Sequence, residues 1–366
     1  RVLDTFKKNQ WFFWSVGISN NAIGGNFRVK WYNFKVMRFV LPAKKQPKVI
    51  DAFKAGYSTL SSHLYLLLFP ILLDVFFLFG KRLLIADQVK AMFNNVNLPS
   101  SLSTEMLNSW EEVSSLAFEI FKNFSLTAFL RSFPIGVPSL LAYRPMEVNP
   151  LGTFSAVQVA SPGSTVVYIL GFSLIGFLLG TLFLWLIRNS VLDKSSTQTP
   201  DRLPQQLISL LTIPVFVFSL GIFVLLPIIF LISIFNSFLP ILGTLGYFLL
   251  SLGIISSAIP LFFTPHEILL SGSNFVNSAK ESIRIVRPTN GKTSIFIMLA
   301  YLATYATNLL WQIPKDDSWM LAVSILGHAL VTTLIVVASF HFYIDARDCV
   351  RDSTITETPM NEQLGN

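Results

Sequence analysis

Residues 203–266 read LPQQLISLLTIPVFVFSLGIFVLLPIIFLISIFNSFLPILGTLGYFLLSLGIISSAIPLFFTPH and contain no Asp, Glu, Lys or Arg. At ~1.5 Å rise per residue, one helix of this length would be roughly three times the ~30 Å hydrocarbon core, so the run must cross, turn and cross back. Asn236, Ser237 and Pro240 mark the turn. The solvent around most of this chain is therefore lipid. Composition agrees: 52% of the 366 residues are apolar and 13% are charged, about half the charged fraction of a soluble domain.

The same pattern predicts an all-α polytopic transmembrane bundle of about six spans. These run roughly over Thr59–Phe79, Thr165–Ile187, Leu207–Phe235, Leu239–Phe263, Ser294–Trp311 and Trp319–Ile344. In the third, Pro214 and Pro227 remove backbone donors and predict a kink or a slanted path. The chain divides into an N-terminal segment with an amphipathic helix (1–58), the first span (59–80) and a helical extracytoplasmic segment (81–164). Five further spans (165–345), with an interfacial helix near 268–288, and a tail (346–366) follow. With the N-terminus inside, 20 of the 27 Lys and Arg fall on inner segments. The positive-inside rule then predicts both termini in the cytoplasm and the chain in an inner (plasma) membrane. The net charge of +7 is read as this topology signal plus attraction to anionic head groups, so membrane lipids are expected partners and nucleic acid is not.

Outside the spans, Met106, Trp110, Val113, Ala117, Ile120 and Phe121 recur at helical spacing, with Ser103 or Thr104 as N-cap. Leu126–Leu141 is apolar but broken by Pro134 and Pro138 and too short to span, so it is expected on or in the outer leaflet. The pair reads as a helical cap, with a lid over a ligand cavity as the alternative. Ile50, Phe53 and Tyr57 before the first span, and Phe275, Ala279, Ile283 and Val286 before the fifth, predict amphipathic helices on the inner head groups. Lys280, Arg284 and Arg287 are the candidate head-group contacts. The first thirty-six residues have no sustained period; Trp11, Phe12, Phe13 and Trp14 suit an interfacial anchor, and Met37 suits a natural start.

Ionisable and polar groups inside spans are costly and rare. Asp74 lies in the outer third of the first span and His328 near the middle of the sixth. Tyr301, Thr304, Tyr305, Asn308 and Gln312 follow one face of the fifth, and Ser324, His328 and Thr332 one face of the sixth. Together they form a candidate polar seam, read either as interhelical hydrogen bonding or as a proton-linked path with Asp74 and His328 as the titratable pair. Asp74 has an alternative use, pairing with Lys81 or Arg82 at the outer interface. Gly176 and Gly180 form a GxxxG stripe for close helix packing, and Gly243, Gly246 and Gly253 invite the same reading. His63 and His341, near the inner boundary, can be pictured as axial ligands of a haem or pigment; local hydrogen bonding is the plainer reading. Glu267, Asp345 and Asp348 are expected in solvent.

The lone Cys349 excludes an intrachain disulfide framework. No phosphate-binding glycine loop, HExxH, GxSxG or carboxylate cluster occurs, so no cofactor, metal or catalytic residue is expected. The sequence Pro265-His-Glu267-Ile, followed by Ser278-Ala-Lys-Glu-Ser282, a span, a turn with Pro314 and Trp319, and a last span ending Phe342-Tyr-Ile-Asp345, has a familiar order. It resembles the six-helix bacterial membrane proteins related to the membrane domain of glycerophosphoryl diester phosphodiesterases. The resemblance covers less than a third of the chain and carries over no catalytic residue. It implies an inner-membrane helical bundle. A non-enzymatic scaffold or accessory subunit, contacting lipid or other membrane subunits, is the leading expectation; a small-solute or proton-linked transporter or channel is the alternative.

Overall fold

The computed structural model describes residues 47–96, 103–192 and 203–356. The anchor expected at Trp11–Trp14, the start expected at Met37 and residues 357–366 lie outside them.

The molecule is an all-α polytopic bundle with very little sheet. α1 (Val49–Ser62) stops at His63, and a 3-10 turn at Leu64–Leu67 leads into α2 (Leu68–Phe79), with a bend of 93° between the two halves. The helix expected to run unbroken from Thr59 is therefore interrupted at His63. The reason is local: Ser61 and Ser62 both return their hydroxyls to the Ser58 carbonyl, and His63 Nδ1 bonds the Thr59 carbonyl. Such side-chain bonds compete with helix continuation. Next come α3 (Ala86–Asn94) and α4 (Thr104–Phe121), the latter capped by Ser103 as expected. After α5 (Pro162–Val191), α6 (Leu203–Leu220) passes through a π turn at Gly221–Leu225 into α7 (Leu226–Phe238). Of the two prolines expected to kink this span, Pro227 directly follows the π turn, a wider turn of the kind that relieves a proline clash, and Pro214 sits inside α6.

α8 (Pro240–Leu261), α9 (Thr264–Ser271), α10 (Phe275–Trp311) and α11 (Met320–Thr356) complete the bundle. Among the described residues, five helical stretches are long and apolar enough to cross a membrane, and the bent α1–α2 pair, counted as one crossing, is a sixth. The separate interfacial helix expected near 268–288 is not formed. Left-handed Gly272 ends α9 and Asn274 caps α10, so the break falls at 272–274, and Pro288 sits within one continuous helix. Among the described residues, four short strands, β1 (Arg82–Leu84), β2 (Val148–Asn149), β3 (Gly152–Thr153) and β4 (Ala156–Gln158), pair as β1 parallel to β4 and β2 antiparallel to β3.

A buried apolar core lies where α1, α10, α11 and the α8–α9 joint meet. Gly56 of α1 lets its backbone lie against Ala338 of α11. Phe53, Phe296, Phe342 and Phe263 stack in sequence at ring separations of 5.3, 4.7 and 5.9 Å, the offset geometry in which aromatic rings attract. α7 and α8 are at the other extreme: among the described residues of this hairpin only Gly243 is buried.

Candidate functional site

Two polar clusters occupy opposite ends of the bundle. The first is built by the segment between α4 and α5. A 3-10 turn at Leu126–Arg131 and the irregular chain beyond it lie against α5, where a Cβ on Gly176 would strike the Leu130 carbonyl and one on Gly180 would strike the Gly136 backbone. Measured along α5 from Val166, these contacts lie about 15 Å and 21 Å into a ~30 Å core. With the core edge placed at Val166 the segment is re-entrant, and the GxxxG stripe is occupied by the chain's own backbone rather than offered to a partner.

Irregular backbone at membrane depth must have its polar groups satisfied by protein. Asp74 does this. Fully buried on α2, its carboxylate accepts from Ser139 Oγ at 2.5 Å and from the Leu140 and Leu141 amides at 3.0 Å each. Ser139 Oγ in turn accepts from the Ala142 amide at 3.1 Å. Neither Lys81 nor Arg82 is its partner, which corrects that expectation. Arg82 is buried in the cap, where it donates to the Met146 carbonyl and lies 4.0 Å over the Phe154 ring. Burial pulls its pKa down, while Asp316 raises it. Asn149 Nδ2 donates to the Leu78 carbonyl at 3.0 Å, filling an acceptor in the last turn of α2.

The seam expected across α2, α10 and α11 separates into parts. His328 Nδ1 meets Asn308 Oδ1 at 3.0 Å, and its Nε2 is buried without a hydrogen-bond partner. Ser324 and Thr332 are buried beside it on α11. Tyr301 is 69% exposed and stacks on Tyr305 on the outward face of α10, so neither belongs to the seam. Thr304 returns its hydroxyl to the Ala300 carbonyl. No hydrogen bond joins Asp74 to His328 among the described residues; Arg131 lies within electrostatic range of both. Spacing placed the tyrosines on the same face as Asn308, but their rings prefer the outside of the bundle.

The second cluster overturns the expectation that Glu267 is solvated. Glu267 is buried, accepts from the Tyr343 hydroxyl at 2.9 Å and faces Arg347 Nη1 at 3.9 Å. His266 Nε2 meets Ser339 Oγ at 2.7 Å, and Ser282 Oγ donates to the Pro260 carbonyl at 2.7 Å. Asp345 and Asp348 are exposed as expected. The inward face of α10 mixes Ser278, Ser282, Thr289 and Thr293 with Ile285 and Val286; of the apolar row read from the sequence Val286 is buried and Phe275, Ala279 and Ile283 are half-buried, while Lys280, Arg284 and Arg287 are exposed. Small hydroxyl residues permit close helix approach in a lipid setting. His341 Nε2 lies 2.8 Å from Thr59 Oγ1 and His63 bonds its own helix, so each boundary histidine has a local partner.

On the cap side, α4 buries none of its residues; Met106, Val113 and Ile120 are exposed, and Trp110 touches Phe93 of α3 at 5.3 Å. The part of the cap that packs on the bundle is the re-entrant segment and the strands, joined to the α10–α11 turn by the Arg144–Asp316 pair at 2.8 Å. Compared with protein-family models, curated proteins and solved structures, the chain gives no match.

Proposed function

We propose that this chain is a non-enzymatic scaffold, an accessory subunit of a larger assembly in the bacterial inner membrane, with both termini cytoplasmic. One observation carries the reading. Asp74, the carboxylate buried within the first span, is spent on the chain's own re-entrant backbone. A proton-coupled carrier needs an ionisable group that meets water alternately from each face, and Asp74 is enclosed. The uneven distribution of Lys and Arg supports the orientation. Kinship with the glycerophosphodiesterase membrane domains belongs to the same proposal, supported by Glu267 and Ser282 of the shared motif both serving the buried α9–α10–α11 interface. With the GxxxG stripe occupied, the surface left for another subunit is the apolar face of α4.

Native mass spectrometry of gently extracted protein tests this. A stoichiometric second subunit should copurify and should be lost on Met106→Glu with Val113→Glu. A lone chain showing pH-dependent uptake in vesicles, abolished by His328→Gln, would replace the scaffold with a carrier. That second reading draws on the re-entrant segment beside Arg131 and His328, since broken backbone at membrane depth often accompanies transporter sites.

A further inference from the structure

A cleft of about 70 Å³ opens at the cap end of α2, between the strand-side chain and the residues leading out of the re-entrant segment. Lys81, Arg82 and Arg144 line it, three cations from two segments far apart in sequence. The two guanidinium groups are anchored by neutral acceptors: Arg82 by the Met146 carbonyl, Arg144 by the Pro314 carbonyl at 2.6 Å. Two carboxylates stand close by. Asp316 pairs with Arg144, and Glu147 accepts from Asn123 Nδ2 at 3.1 Å. Lys81 is exposed at the rim and forms no ion pair among the described residues. Arg144 also keeps one buried guanidinium nitrogen, Nη1, without a hydrogen-bond partner.

Size and walls narrow the ligand. At about 10–15 Å³ of this measure per water, 70 Å³ is room for several waters and so for a small anionic group such as a phosphate or carboxylate. One wall is Phe76, which is exposed on the outward face of α2 where lipid chains run. A group entering this cleft therefore meets positive charge at its polar end and an aromatic surface beside it. We propose that the cleft is an anion site for a phosphate-bearing head group, with Lys81 and Arg144 facing the phosphate and an acyl chain lying along Phe76. Free inorganic phosphate shares that chemistry, and the experiment separates the two sources.

The full chain is placed in nanodiscs of mixed phosphatidylglycerol and phosphatidylcholine, and retained lipid is read by native mass spectrometry. Melting is followed in parallel with and without inorganic phosphate. Preferential retention of phosphatidylglycerol that falls about tenfold or more in Lys81→Glu and persists in Lys81→Arg supports the head-group source, in line with the cost of reversing one charge near the lipid surface. No lipid preference, but melting raised by inorganic phosphate in the wild type and not in Lys81→Glu, supports a free-anion source. Lys90→Glu, an exposed cation on the same side outside the cleft, is the control and should change neither signal. Equal effects of Lys81→Glu and Lys90→Glu, or no effect of Lys81→Glu on either signal, overturn the site. Lys81 is exposed, so its variants fold, and unchanged melting without ligand verifies it.

Discussion

The most apolar 18-residue window of Pro204–Phe238 has a mean hydropathy of 3.0 and none of it is buried in the protein, whereas that of Met320–Arg351, at 2.3, is 44% buried. In water the order would be reversed. Here lipid solvates leucine and phenylalanine as well as protein does, so apolar surface has little to gain by turning inward. Beside an apolar core that includes Phe263, Phe296 and Phe342, the bundle encloses what lipid cannot satisfy: Asp74, His266, Glu267, His328, the hydroxyls of α10 and the close-packed glycines of α5. The α7–α8 hairpin is oil-facing packing held by Gly243 and Gly246 against Asn236 and Ile232. The α2–α5–cap region is a polar and steric lock.

That contrast is open to direct attack, beginning with the lock. Asp74→Ala leaves two buried amides and a hydroxyl without an acceptor, and should lower unfolding free energy by about 3 kcal/mol, measured by denaturant titration in mixed micelles. If it melts like the wild type, the carboxylate does not hold the re-entrant segment. Gly176→Leu should cost about 2 kcal/mol or more by driving a side chain into Leu130, and protease cleavage within 126–142 should rise. Tyr343→Phe, which strips the Glu267 carboxylate of the Tyr343 hydrogen bond, should cost about 1 kcal/mol by the same titration. Asn308→Leu should cost only ~0.6 kcal/mol, the usual worth of one interhelical bond in a membrane. Gly253→Leu, where nothing lies within 4 Å, should change stability by less than about 0.5 kcal/mol. A large loss there would show that the hairpin face is packed after all.

The spans were legible because hydrophobic length is a one-dimensional property. The α4 helix with its Ser103 cap was legible for a similar reason, being written within a few residues. Asp74 could be singled out as costly, yet its partners could not be named, because Ser139, Leu140 and Leu141 are distant in sequence and two of the three bonds come from backbone amides, which any residue carries. Gly176 and Gly180 signalled a close approach without saying to what. Glu267 was misread because the Tyr343 and Arg347 that enclose it sit on another helix. On α10, both the apolar row and the hydroxyl row follow helical spacing, and periodicity cannot say how much of each faces protein when the medium is itself apolar.

β1 does more than pair with β4. Leu84 also bridges to Ser125, and the Leu83 amide donates to Ser125 Oγ at 3.1 Å, so the chain departs from this point, traverses α3 and α4, and returns to it. That excursion is fastened at its base like a flag to a pole. Altering the stretch between Gln88, which bonds Val159 and Thr165, and Ile120, which lines the cleft, changes what the molecule displays while leaving this fastening in place. The lobe is in that sense interchangeable, and the rest of the fold is the mount.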